Sequence, residues 1–158
     1  MHSEDSGPQL PIAPPLVPLT ALILAIVLDW LPLRFMAGPV GFNLQVIAGV
    51  VLLLVGIWLD TSAVRLFFRE GTNPMPTQPA LKVVTTGPYR FTRNPMYLGM
   101  VAILLGLSLI FSLEWGVIFT PIVWIIMDRV IVLREEAYLN RKFGPHYQAL
   151  LTQTRRWL

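Results

Sequence analysis

The chain has 158 residues, of which 54% are hydrophobic and 13% charged, and its mean hydropathy is +0.62. That length suits one domain, and the composition excludes both a disordered chain and a soluble domain with an ordinary charged surface, leaving the membrane class. The formal charge is +3, with no cysteine and only two histidines, which excludes disulfides and thiolate chemistry and argues against a zinc centre or a triad with a histidine base.

Residues 1–15 are polar, acidic and rich in proline, and they read as a flexible tail. They lack the basic start and small-residue cleavage site of a secretory signal, so the first apolar segment is expected to stay in the mature protein. Four apolar stretches follow, at about 16–36, 42–59, 96–113 and 115–133. Each is near the ~20 residues that a helix needs to cross a bilayer, and backbone facing lipid must be helical. Pro32, Gly38, Pro39 and Gly41 punctuate the first link, while the link at 112–114 is so short that it predicts a tight antiparallel hairpin. Gly49 and Gly56, and likewise Gly99 and Gly106, recur at helical spacing and predict close packing between helices.

Charge placement sets the expected topology. Arg65, Arg69, Lys82, Arg90 and Arg93 lie between the second and third stretches, and Arg129, Arg134, Arg141, Lys142, Arg155 and Arg156 at or after the end of the fourth. Only Arg34 among the 12 basic residues falls on the other side. The positive-inside rule then predicts both basic segments, and both termini, on the cytoplasmic face. Such a basic balance points to a membrane surface, with no nucleic-acid partner expected. Asp29, Arg34 and Asp60 read as the ends of spans. Asp128 and Arg129 are neighbours on a helix and are expected to point apart, with at least one facing the protein interior.

Two segments carry the polar chemistry. The loop 71–99 is too polar to span and long for a plain connector. Within it Leu81, Val83 and Val84 form an apolar patch, residues 86–89 a turn, and Arg90, Arg93, Asn94 and Tyr97 a polar group near the membrane surface. Asn94 is placed to cap a helix that opens at Pro95, whose free N–H groups would suit a carboxylate or phosphate. Grip on lipid headgroups is the competing reading. In the second segment, 134–158, Glu135 and Glu136 follow an apolar span, and Phe143-Gly144-Pro145 stops the helix. The two glutamates are either a solvated helix face or the anionic half of one polar site whose cationic and aromatic half is the loop; carboxylates suit ribose hydroxyls or an ammonium group.

The run Gly87-Pro-Tyr-Arg-Phe-Thr-Arg-Asn-Pro-Met-Tyr-Leu-Gly99, then a hydrophobic hairpin, then Glu135-Glu136-x-x-Leu139-x-x-x-Phe143-Gly144-x-x-Tyr147, resembles the isoprenylcysteine carboxyl methyltransferase family. Related phospholipid methyltransferases share the pattern more loosely. The resemblance covers roughly residues 70–158 and implies an all-α integral membrane protein of about four transmembrane helices. In such proteins a cytoplasmic loop and the C-terminal segment form a pocket for S-adenosylmethionine. The chain divides accordingly into a tail (1–15), two leading helices (16–69) and a methyltransferase core (70–158). By position, Tyr89, Pro95 and Tyr97 match cofactor-contacting residues and Glu135 the acidic one. Leu81, Val83 and Val84 align with a strand-like segment that wraps the cofactor, and Arg93, Asn94, Met96, Gly99 and Glu136 complete the candidate set within the same motifs. Asn94 stands where the family has histidine, so cofactor binding is compatible but proton transfer there is not. Arg129 and Arg134 are the candidates for holding a substrate carboxylate, and neither fits the family spacing cleanly.

The resemblance implies methyl transfer to a lipophilic acceptor entering from the bilayer, first the carboxylate of a prenylcysteine-like molecule, with no metal. A carboxylate nucleophile needs no general base. A phospholipid amine or a thiol is the alternative acceptor. Two other classes compete: an NADPH-dependent sterol-type membrane reductase, which shares a related hairpin, and a non-enzymatic membrane interaction protein. The mid-membrane stretches offer almost no polar lining for a transport pathway.

Overall fold

The computed structural model describes residues 7–31, 33, 35, 36, 38, 43–75 and 78–158; Arg34 and residues 1–6 of the expected tail lie outside them. Among the described residues every regular element is helical: α1 (Leu16–Leu28), α2 (Leu44–Glu70), a 3-10 turn (Gly87–Arg90), α3 (Pro95–Ile110), α4 (Glu114–Ile126), α5 (Leu133–Phe143) and α6 (Pro145–Gln153). A π-helical segment, Met127–Val132, joins α4 to α5 without a break, so the two form one rod from Glu114 to Phe143.

α2 and this rod are each long and apolar enough to cross a membrane. Their burial pattern is that of a lipid-facing helix. Along α2 only Gly49, Gly56, Leu59 and Ala63 are buried, while Val51, Leu54, Ile57 and Trp58 are exposed. α1 and α3 are shorter apolar helices, of 13 and 16 residues, and at about 1.5 Å per residue each falls short of a ~30 Å hydrocarbon core by itself.

α3 is the centre of the bundle, packing on α2 at one side and on α4 and α1 at the other. The α2–α3 contact is set by the four glycines. A Cβ built on Gly49 would meet the Gly106 carbonyl oxygen at 2.8 Å, and one on Gly56 the Gly99 carbonyl at 2.7 Å. The pairing of 49 with 106 and 56 with 99 makes the helices antiparallel and lets their backbones touch, as small residues do between membrane helices. The hairpin between α3 and α4 is tight as expected, turning at Ser112, whose φ is 55°. Glu114, buried at the start of α4, accepts hydrogen bonds from the backbone N–H groups of Leu33, Phe35 (2.9 Å) and Met36, so these three residues are anchored at that end of the bundle.

Three expectations need correction. Residues 7–15 are not a detached tail: Pro8 and Pro14 are buried and Leu10 packs on the core formed by Ala21, Leu104, Met127 and their neighbours. Prolines restrict this segment before it folds, which lowers the entropy lost on packing it. Asp60 is not at a helix end. It lies inside α2, and its carboxylate rests against Gly99, with Oδ1 buried and without a hydrogen-bond partner among the described residues. Finally, Arg129 does not point away from Asp128: its Nε lies 3.3 Å from Asp128 Oδ2. The backbone there is a wider π turn, and the long arginine curls back along it. Asp128 is the partner that faces inward, as required of one of the two.

Candidate functional site

The start of α1, the end of α2, the start of α3 and the α5–α6 segment meet at one end of the bundle around a cavity of about 350 Å³. The loop is fastened before it reaches the cavity. Gly71 ends α2 in a left-handed conformation (φ 66°), which glycine adopts without strain. The Leu81 N–H then donates to the buried Thr72 hydroxyl (3.0 Å) and the Ala80 N–H to the Tyr138 hydroxyl (3.2 Å). Next, Gly87 (φ 60°) opens the 3-10 turn, which turns Tyr89 inward against Phe67, ring centroids 5.5 Å apart.

Of the sequence-predicted residues, Val83, Val84, Tyr89, Arg93, Asn94 and Met96 line the cavity. Tyr97, Glu135 and Glu136 complete the lining from that set. Leu81, Pro95, Gly99, Arg129 and Arg134 do not line it. Leu81 and Arg134 are exposed, and Pro95 is buried at the first turn of α3. Gly99 is occupied with Gly56 and Asp60, and the Arg129 side chain is 73% exposed. No strand forms at Leu81–Val84, which is irregular, and there is no strand among the described residues to receive its hydrogen bonds.

The two glutamates do different work. The Tyr97 hydroxyl donates to Glu135 Oε2 at 2.7 Å, and this is the one hydrogen bond to Glu135 among the described residues. Glu136 is held by two arginines: Arg93 reaches Oε1 at 3.0 Å and Arg156 reaches Oε2 at 2.7 Å. Glu136 is therefore neither a solvated face nor a free ligand group, and its adjacency to Glu135 in sequence conceals this. Asn94 occupies the helix-cap position without capping. Its side-chain amide donates to the Arg156 carbonyl at 3.0 Å, so that donor is engaged by the C-terminal segment.

Arg156 is the residue that sequence reasoning missed. It also reaches Asp128 at 3.4 Å, and the adjacent Trp157 indole donates to the same Asp128 oxygen at 2.9 Å while meeting Trp124 edge-on. Backbone bonds complete the clasp: the Arg93 N–H donates to the Arg155 carbonyl (2.9 Å), and the Thr92 hydroxyl to the Arg156 carbonyl (3.0 Å). The Arg93 guanidinium also donates to the Thr154 carbonyl. The last residues of the chain thus bind the start of α3 to the π segment and to α5. Hydrogen bonding to Glu136 holds the Arg156 guanidinium above its usual pKa. Because Arg93 and Glu136 are only 12% and 14% exposed at the side chain, Arg156→Gln leaves a desolvated carboxylate half-neutralised. The expected loss is roughly 2 kcal/mol, or about 4–8 °C in melting temperature, and it should be sub-additive with Glu136→Gln in a double-mutant cycle read by thermal unfolding.

Tyr138, Tyr147 and Met100 also line the cavity outside the predicted set. Tyr147 was visible as the last residue of the second motif; Tyr138 and Met100 carried no signal beyond helical spacing. Burial pushes the phenols of Tyr89 and Tyr147 up, with the Glu135 charge adding for Tyr89 and that of Glu136 for Tyr147. Both are therefore protonated hydrogen-bond donors at neutral pH. The cavity combines aromatic and thioether walls with one carboxylate that carries a single hydrogen bond, a donor set that fits a compact cationic ligand with an aromatic base.

Comparison with known proteins gives the family. An uncharacterised protein of Haemophilus influenzae is 41% identical over 66 residues, which cover 40% of this chain and all of that protein. No solved structure matches the chain significantly. The family model for phospholipid methyltransferase matches residues 44–146, a span that begins with α2 and runs through the loop, the hairpin and both glutamates, so the chain belongs to the phospholipid methyltransferase family of membrane methyltransferases.

Proposed function

We propose that the cavity binds S-adenosylmethionine at the cytoplasmic membrane surface and that the protein methylates a lipophilic acceptor, first the carboxylate of a prenylcysteine-like molecule. The observation that carries this reading is the cavity itself, where loop and C-terminal motifs far apart in sequence line one space beside the Tyr97–Glu135 pair. When bound, S-adenosylmethionine supplies a methyl group already activated by its sulfonium. Glu135 then accepts from the ribose hydroxyls or the ammonium group, and Tyr97 orients Glu135. Val83, Val84, Met96 and Tyr89 give the apolar and aromatic walls that exclude water. Arg93, Glu136 and Arg156 position the wall and do not contact the reacting atoms. The residues' task is alignment and exclusion of water, catalysis by proximity and orientation.

A carboxylate acceptor is favoured because it arrives without a proton to lose. The phenols of Tyr89 and Tyr147 stay protonated, and Glu136 is committed to two arginines. In this reading α1 and α3 complete the crossing together with their flanking residues, giving four spans with both termini on the cavity side, where the basic segments lie.

Calorimetric titration of the detergent-purified protein with S-adenosylmethionine and S-adenosylhomocysteine is expected to give saturable one-site binding of both. Radiolabelled methyl transfer to a farnesylcysteine analogue, against phosphatidylethanolamine, then identifies the acceptor. Binding of NADPH in place of both ligands by a folded sample would remove the methyltransferase reading.

A further inference from the structure

A second concavity, of about 550 Å³, lies on a different face of α2 from the cavity above, where that helix meets the 3-10 turn. Arg65 and Arg69 line it from successive turns of α2, and Arg90 faces them from the end of the 3-10 turn. Trp58, Leu66 and Phe91 form its apolar wall, with Trp58 56% and Phe91 70% exposed. We propose that this groove binds the phosphate headgroup of an anionic membrane lipid, with an acyl chain lying along Trp58 and Phe91.

Charge is the first argument. None of the three arginines has a carboxylate partner among the described residues. The acidic residues of α2 are engaged elsewhere, Asp60 against Gly99 and Glu70 with Lys82 at 3.3 Å. Like charges one helical turn apart repel, and a bound phosphate relieves that repulsion while accepting from the planar guanidinium forks. Shape is the second argument. A soluble phosphate has no use for a wall of exposed aromatic side chains, whereas a lipid places its headgroup and its chain side by side as the groove does. The groove stands at the end of α2 nearest the basic loop, where an anionic leaflet would attract it. The two cavities share no lining residue: from α2, Val64 and Phe67 line the first and Arg65 and Arg69 the second, and at the 3-10 turn Tyr89 lines the first while Arg90 lines the second. The inference is independent of the methyl-transfer reading.

The test uses the full chain in neutral detergent, titrated separately with dioleoylphosphatidylglycerol and dioleoylphosphatidylcholine, with bound lipid counted by native mass spectrometry. One phosphatidylglycerol per chain is expected to be retained in preference to phosphatidylcholine, and millimolar inorganic phosphate should not displace it. The triple change Arg65→Gln, Arg69→Gln, Arg90→Gln should weaken retention roughly a hundredfold. Removing three charges elsewhere, by Arg141→Gln, Lys142→Gln and Arg155→Gln, should leave it within about twofold. Equal loss in both triple variants would reduce the effect to general surface charge and overturn the site. So would equal retention of phosphatidylcholine, and displacement by inorganic phosphate would make the ligand a soluble anion and not a lipid. All six residues are exposed, so the variants are expected to fold, and unchanged melting temperatures check this.

Discussion

Glu135→Gln is expected to weaken S-adenosylmethionine binding about a hundredfold while the protein stays folded. The substitution keeps side-chain volume and an oxygen to accept from Tyr97, 2.7 Å away, so the wall of the cavity stands. What is removed is the charge, and a hydrogen bond to a charged group contributes about 1.5–3 kcal/mol where water is excluded. At 1.4 kcal/mol per decade the upper part of that range is the stated hundredfold. Tyr97→Phe should cost less, about fivefold, because Glu135 keeps its charge and loses only its orienting donor. Glu136→Gln should act differently again. Its carboxylate neutralises Arg93 and Arg156, so the expected effect is on melting temperature more than on affinity. Calorimetric titration beside thermal unfolding separates the three, and equal affinity losses for Glu135→Gln and Glu136→Gln would overturn the division of labour between the two glutamates.

The largest effect on stability is expected at Gly56. A Cβ there would sit 2.7 Å from both the Gly99 carbonyl oxygen and Ile103 Cγ1, and the carbonyl is backbone that cannot rotate aside. Gly56→Leu must push α2 off α3, at a cost of about 3 kcal/mol or more given the usual range for overpacked cores. The expected result is a fall of roughly 10 °C in melting temperature and weaker cofactor binding, since Gly99 lies one helical turn from Pro95 and two residues from Tyr97. The outward-facing Val51→Leu on the same helix should change melting by no more than about 2 °C. Val51 is 53% exposed. Indistinguishable melting of the two variants would show that the glycine contact does not hold the bundle.

Much of this molecule was legible before its structure. The long apolar stretches are helices, two of them long and apolar enough to cross a membrane, the glycines at seven-residue spacing marked the face on which α2 and α3 touch, and the stop at Phe143-Gly144-Pro145 lies where α5 ends. The paired motifs carried the family. These features are local, set by composition, helical periodicity and the backbone freedom of glycine and proline, so a linear reading reaches them.

The tertiary structure decided the rest, wherever partners distant in sequence compete for one side chain. Glu135 and Glu136 are chemically alike and adjacent and both line the cavity, and it is Arg93 together with Arg156, which arrives from the chain end 20 residues on, that commits Glu136 to a clasp and leaves Glu135 with the Tyr97 hydroxyl. Asn94 has the identity and position of a helix cap but spends its amide on the Arg156 carbonyl. Residues 7–15 have the composition of a tail yet pack against the core, because the bundle end offers apolar surface that prolines can cover at small entropic cost. Arg129 and Arg134 have the right charge for a substrate carboxylate, but the turn of the rod carries both away from the cavity. Sequence determined which elements form and what chemistry they carry; long-range ion pairs and hydrogen bonds, invisible to spacing, determined which of the polar groups face the site.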